Sequence, residues 1–455
     1  MPMSMLPDCI ERAERARLFP ILAETSKEGR TLAIFLATLA SVREFRDNLL
    51  TALGQRIGAS AKLRTYTEVE FKCAKGEQNL GRPDGLLVLD SWGRRWTALV
   101  EAKVGKSDIS QEQLERYLEL AKRNKIDAVV TISNQFSVVP QHHPLRINTS
   151  KFKVDLFHFS WMHILTEADL LTVNRDVDDD DQAYVLSEFL RFISHESAGV
   201  QGFTQMPAPW PDVVAKVQAG GILQHTSDVG AVAEAWTQES RDLCLVLSRQ
   251  LKRIVSQQLS KAALASPEGR FQESVNSLCT DQSLSTVFLV PNAASPIEVR
   301  ADLRRRSALV SMKLKAPTDR VSNAARLNWL LRQIPASTQG NIHVRCQWPY
   351  SSNPTQFRLQ ELRDDSSRIE EGAGKHKVAA FEVLLAADMG KRFEQRKTFI
   401  DELERAVPTF YETVGQHLRA WQAPAPKIAE ERAQPADVTP AAIAENTEAN
   451  SMQRE

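Results

Sequence analysis

No apolar run in these 455 residues approaches the roughly 20 residues needed to span a bilayer. Residues 1–22 mix acids and bases and lack the long apolar core of a signal peptide. Cysteine is sparse: Cys9, Cys73, Cys244, Cys279 and Cys346 are widely scattered and form no Cys-x-x-Cys pair. That spacing argues against a disulfide scaffold or a cysteine zinc site and suits a reduced, cytosolic setting. An excess of either charge is missing too, since 57 Lys and Arg balance 57 Asp and Glu. A general basic coat for nucleic acid is thereby excluded, although a local patch is not. What remains is ordinary globular material, 42% hydrophobic and 25% charged, long enough for two or three domains with their own cores.

The most informative segment is Arg82-Pro83-Asp84 followed by Glu101-Ala102-Lys103. Two apolar runs, 85–89 and 97–100, flank Asp90-Ser91-Trp92-Gly93-Arg94-Arg95, which reads as the turn of a β-hairpin. If pairing is regular and centred between Trp92 and Gly93, Asp84 lies opposite Glu101, with Cβ atoms about 5 Å apart. Like charges facing each other across a ladder need neutralising, and a hard divalent cation does so most simply. Lys103 follows Glu101 by two residues, so strand periodicity puts its ammonium on the same face. The flanking runs are apolar at nearly every residue, the pattern of strands covered on both sides. Acids that close such runs stand at the sheet margin, where open sheets place ligands.

These residues resemble the PD-(D/E)xK nuclease superfamily, supplied here literally as Pro83-Asp84 and Glu101-Ala102-Lys103. A helix expected from about Ser110 carries Gln113-Leu114-Glu115-Arg116-Tyr117, which is similar to the Gln-x-x-x-Tyr signature of the RecB-like branch. Gln113 and Tyr117 are four apart, hence on one helical face. Residues 127–132 read as a buried strand after a crossover helix, and 154–161 as the last strand of the same sheet. The resemblance covers roughly residues 30–165. It implies an α/β fold, a restriction-endonuclease-like mixed sheet flanked by helices, with a metal held by Asp84, Glu101 and the backbone carbonyl of Ala102. All-oxygen ligation favours magnesium, with manganese as a substitute. Lys103 would hold or, as the neutral amine, deprotonate the attacking water, and its ammonium would offset charge on the phosphate. The resemblance also implies that Gln113 positions water, lysine or phosphate, and that Tyr117 touches the substrate backbone. Some RecB-like relatives hold an iron-sulfur cluster through four cysteines; the cysteine spacing here predicts none.

Each residue has a plainer alternative. Asp84 after proline suits a turn, Glu101 and Lys103 suit an exposed strand edge where they pair only with each other, and Gln113 and Tyr117 suit ordinary helix positions. Many members of the superfamily add an upstream acid, for which this sequence offers Glu70, then Glu44, then Glu68. Glu44 belongs to the amphipathic stretch 31–53; Glu68 and Glu70 belong to the alternating strand 65–71 and share a face opposite Val69. His142 and His143 occupy a loop without a partner acid or cysteine at metal-like spacing, and His158 reads as structural.

The acidic run 176–181 precedes an apolar-periodic stretch, 184–193, and suits a helix N-terminus. These signals divide the chain into a nuclease-like domain with N-terminal helices over 1–198, a connector over 199–230 where glycine and proline accumulate, a separate α+β domain over 231–421, and a disordered tail over 422–455. The α+β domain is expected to hold a helix over 231–264, strands over 285–290, 297–303 and 308–314, a helix over 322–334, strands over 342–348, 356–362 and 378–385, and a long helix over 392–421 kinked at Pro408. Its basic stretch includes Arg304, Arg305 and Arg306 as candidate nucleic-acid contacts, with a solvated face as the alternative.

The expected function is a cytosolic, magnesium-dependent nuclease that hydrolyses phosphodiester bonds, with DNA the expected polymer and defence or repair the expected setting from the family's habits. Endonuclease and exonuclease action are both open. The alternatives are a nuclease fold that binds nucleic acid without turnover, and an assembly or regulatory protein. The C-terminal domain is expected to serve targeting or assembly, with its terminal helix a candidate seam for a homodimer or a partner protein. No membrane partner is expected.

Overall fold

Apolar residues fill both phases of the runs around 85–89 and 97–100. In the computed structural model, which describes residues 6–19, 27–72, 80–423 and 425, these runs occupy the middle of a sheet covered on both faces. The first unit comprises β1 (Ile10–Arg15), α1 (Lys27–Ser41), α2 (Arg43–Ala52), β2 (Lys62–Phe71), β3 (Gly85–Ser91), β4 (Arg94–Ala102), α3 (Gln111–Arg123), β5 (Ala128–Ser133), β6 (Asp155–Ser160), α4 (Trp161–Asn174) and α5 (Asp180–Ile193). Its six strands follow sequence order, antiparallel from β1 to β4 and parallel from β4 to β6. The parallel step from β4 to β5 uses α3 as its crossover, as parallel pairing requires.

Alternation then sorts the side chains. Leu86, Val88 and Leu99 face α3 and pack with Leu114, Tyr117 and Leu118, while Leu87, Leu89 and Val100 face the other helices and pack with Phe35, Phe45, Trp161 and Phe189. The hairpin between β3 and β4 turns on Trp92 and Gly93, both with positive φ (54° and 71°). That is the conformation of a two-residue type I′ turn, whose twist suits the flanking strands. It fixes the pairing Gly85 with Val100 and Leu86 with Leu99. Gly85 is also a close approach: a Cβ there would meet Leu36 Cδ1 at 2.9 Å and Tyr66 O at 3.2 Å.

The second unit contains α6 (Trp210–Gln218), α7 (Ser227–Leu251), β7 (Ser256–Gln257), α8 (Lys261–Ala265), α9 (Pro267–Asp281), β8 (Ser283–Leu289), β9 (Ile297–Asp302), β10 (Ser307–Lys315), α10 (Asn323–Leu331), β11 (Ile342–Gln347), β12 (Thr355–Arg358), α11 (Leu359–Asp364), β13 (Ala380–Asp388) and α12 (Arg396–Thr413). Its seven strands form an antiparallel sheet in the order β12-β11-β13-β10-β9-β8-β7. The chain is therefore mixed α/β, a six-stranded mixed sheet and a seven-stranded antiparallel sheet, each with helices.

Several boundaries differ from the sequence expectations. The stretch 31–53 is two helices, broken where buried Val42 adopts an extended backbone. The helix expected over 231–264 stops at Leu251, where Lys252 takes the left-handed conformation and β7 and α8 follow. The expected strand 356–362 is a strand only to Arg358; Leu359 and Leu362, three apart, then bury one side of α11. The long terminal helix ends at Thr413, and Pro408 lies inside it. Residues 199–230 are more than a connector, since α6 buries Trp210 fully in the second core, where its Nε1 donates to Phe393 O at 2.9 Å. The expected tail 422–455 lies outside the described residues apart from 422, 423 and 425. No helix among the described residues is long and apolar enough to cross a membrane.

Candidate metal centre

Continuing the β3–β4 ladder one step past Gly85 and Val100 places Asp84 opposite Glu101. Even positions of β3 and odd positions of β4 face α3, so both carboxylates lie on that face. The Ala102 backbone N–H donates to Asp84 Oδ2 at 3.0 Å, which pins the carboxylate across the sheet margin. Glu101 is 1% exposed. Its Oε1 accepts from Lys103 Nζ at 2.7 Å and from Gln113 Nε2 at 2.6 Å. Its Oε2 is buried and has no hydrogen-bond partner among the described residues. An orphaned buried carboxylate oxygen is costly.

A third acid joins them from an unexpected place. Glu28, in the first turn of α1, accepts from Lys103 Nζ at 2.8 Å. One carboxylate oxygen from each of Glu28, Asp84 and Glu101 lies within 4.8 Å of the others. The three upstream candidates are elsewhere. Glu44 pairs with Arg43 at 2.6 Å on α2. Glu68 and Glu70 both pair with Arg82, Glu70 at 3.6 Å. They sit at a bulge: Arg12 and Glu14 face Glu70 and Thr67, two residues against three, and Glu68 takes the left-handed conformation. Sequence reasoning missed Glu28 because it lies ahead of the apolar-periodic stretch; its one signal is an acid in the first turn of a helix.

The helix that carries Gln113 starts where expected, capped by Ser110, whose hydroxyl accepts from Gln113 N at 3.1 Å. Gln113 Nε2 also reaches Tyr117 OH at 3.3 Å, confirming a shared face. Tyr117 is 5% exposed and its hydroxyl donates to Arg82 O at 3.1 Å. It holds the loop that presents Asp84; a substrate contact stays what the resemblance implies. Arg304, Arg305 and Arg306 turn between β9 and β10 in the other sheet. Arg304 Nε donates to Gln282, Arg305 N donates to Asp302 at 3.0 Å, and Arg306 O accepts from Met389 N at 3.2 Å. Among the described residues, no hydrogen bond or ion pair ties them to Glu28, Asp84 or Glu101.

Burial, and then the Glu101 charge, pushes the Asp84 carboxyl up to about 8. The margin thus favours holding a proton, or a cation in its place. Burial opposes the Lys103 ammonium, yet its bonds to Glu101 and Glu28 prevail and raise its pKa. Lys103 is therefore a cation here. Burial, and then Glu101, raises Tyr117 to about 12, so its phenol keeps the proton it donates. Three carboxylates, one of which carries the orphaned oxygen, make an all-oxygen donor set that fits magnesium or manganese. Ala102 presents its N–H to Asp84; its carbonyl remains a donor implied by resemblance.

The histidines form a separate structural network. Leu145 N donates to His143 Nδ1, so His143 Nε2 carries the proton toward Thr131 Oγ1 at 2.8 Å. Thr131 in turn meets His158 Nδ1 at 2.8 Å, and His158 Nε2 donates to Gln135 O. Burial pushes His143 down to about 3 and His158 to about 4, which keeps both rings neutral. Cys73 lies outside the described residues, and Cys9, Cys244, Cys279 and Cys346 are free thiols. No protein-family model matches the chain, and no curated protein or solved structure matches it either.

Proposed function

We propose that the chain is a magnesium-dependent nuclease that hydrolyses phosphodiester bonds, with DNA as the substrate. The observation that carries this reading is the convergence of Glu28, Asp84 and Glu101 around a buried oxygen with no partner, beside the Lys103 ammonium. Asp84, Glu101 and Glu28, with the Ala102 carbonyl, would hold the ion. Bound there, magnesium would supply Lewis acidity at the scissile phosphate and acidify water.

The chain's own residues do the rest. Lys103, kept cationic by two carboxylates, offsets negative charge that builds on the phosphate and orients the attacking water; its raised pKa favours these roles over proton abstraction. Gln113 fixes the rotamer of Glu101, and Tyr117 fixes the loop that presents Asp84. Both are positioning residues. Asp84 must lose the proton that its environment favours, so ion binding and proton release are linked.

Purified protein incubated with circular, linear and single-stranded DNA, with magnesium, manganese or chelator, tests this beside Asp84→Ala and Lys103→Ala. Metal-dependent cutting by wild type, absent in both variants, supports it. No cutting on any substrate favours a binding role without turnover, and equal cutting by the variants places the activity elsewhere.

A further inference from the structure

Away from the carboxylates, α4, α7 and α9 meet where the two units join, and the junction holds two cations that form no ion pair among the described residues. Arg241, on α7, places Nη2 3.4 Å from His163 Nδ1; Arg270, on α9, places Nη2 3.0 Å from His142 Nδ1. Among the described residues neither guanidinium forms an ion pair, and the Nε of each is buried without an acceptor. Glu167 and Asp242 lie within the field of Arg241, but they accept from Asn48 and from Phe203 N. The charged neighbour felt by Arg270 is Arg241, a like charge. The ring beside Arg241 does not share the charge, because burial and then Arg241 push His163 down to about 3.

Arg270 also stands between two cavities. A recess of about 440 Å³ and another of about 210 Å³ both include Arg270 and Thr237 in their walls. Arg270 Nη1 makes no hydrogen bond among the described residues. The smaller recess adds Ser240, whose buried hydroxyl has no partner. The larger has an aromatic wall of Phe136, Phe203 and Phe271, with Arg146 4.2 Å over the Phe271 ring. Of the acids that border these recesses, Glu234 pairs with Arg146, while Asp108 and Glu273 accept from the neutral Gln135 and Ser260.

We propose that this junction is an anion site in which Arg270, supported by Arg241 and the Thr237 and Ser240 hydroxyls, receives the phosphate group of a small ligand. A half-buried guanidinium that forms no ion pair is unfavourable until an anion with several acceptor oxygens meets it, and phosphate matches its planar donors. The larger recess falls within the usual range of small-molecule pockets, about 300–1,000 Å³. Its aromatic wall suits a planar group joined to the phosphate, as in a mononucleotide, while inorganic phosphate would satisfy the cation alone.

Calorimetric titration of the full chain tests this, without divalent metal and at fixed ionic strength. The titrants are inorganic phosphate, a nucleoside 5′-monophosphate and the corresponding nucleoside, with wild type, Arg270→Gln, Arg270→Lys and Arg241→Gln. The site predicts binding of a phosphate-bearing titrant by wild type, at least tenfold weaker in Arg270→Gln, weakened in Arg241→Gln and partly kept in Arg270→Lys, with no binding of the nucleoside. Tighter binding of the monophosphate than of phosphate identifies a nucleotide; equal binding identifies the free anion. Absence of binding by wild type, unchanged affinity in folded Arg270→Gln, or equal binding of the nucleoside overturns the proposal. Should Arg270→Gln fail to fold, Arg241→Gln gives the same decision. Because no metal is present, failure here leaves the nuclease reading untouched.

Discussion

Lys103 Nζ donates to Glu28 at 2.8 Å, joining the first turn of α1 to the end of β4 across 75 positions of chain. The contact brings a third carboxylate to the sheet margin, where sequence spacing did not place it. Replacing Glu28 with Gln removes a negative donor but keeps the shape. Metal affinity should fall by at least the roughly 10–100-fold that losing an outer-shell partner of a metal site costs, and cleavage should fall with it. Metal titrations of the folded variant check this; unchanged affinity would remove Glu28 from the site.

Tyr117→Phe deletes the hydroxyl that Arg82 O and Gln113 share. Loss of this bond should lower stability by about 1 kcal/mol and loosen the loop before β3. On the positioning role, the expected signature is a fall in kcat with KM unchanged, because the hydroxyl donates to the loop that presents Asp84. A raised KM alone would instead mark Tyr117 as a substrate contact.

Thr131→Val breaks the chain of bonds between His143 and His158. Two buried ring nitrogens then lose a partner, costing about 1–3 kcal/mol. Denaturant unfolding should show that loss, with metal affinity of the folded protein unchanged.

A pH dependence follows from the acids between α7 and α12. Both Glu239 oxygens are buried without partners among the described residues, and burial, then Glu404 and Asp242, raises its pKa well above the ordinary value. Burial also pushes Asp242 up to about 6 and Glu404 to about 7. Folded carboxyls with raised pKa keep protons that the unfolded chain releases near pH 4. Their stabilisation is therefore complete below about pH 4 and is lost as pH rises through the folded values. Tm should fall between pH 5 and pH 8, and Glu239→Gln should shrink that fall. An undiminished fall in the variant would contradict this assignment.

The central hairpin was legible because a two-residue turn centred on Trp92 and Gly93 admits one regular register. The Ser110 cap of α3 and the Asp179 cap of α5, which accepts from Gln182 N at 2.9 Å, were legible for the same local reason. Glu28 was not, since its place depends on how α1 docks against the sheet, a tertiary fact. Helix α9 was missed because it buries only Val275 and Leu278, too few for a periodic stripe. Ser266 and Pro267 at its start were the available signal, a cap followed by proline at the first helical position. The break at Val42 carries no glycine or proline, so periodicity ran through it.

Titration of manganese into metal-free protein, followed by calorimetry beside Asp84→Asn and Glu101→Gln, tests the central claim most directly. The carboxylate convergence predicts binding by wild type with proton release, and loss of binding in both folded variants. Wild type that takes up no divalent ion, or variants that bind it as tightly as wild type, would contradict the metal centre and the hydrolysis built on it.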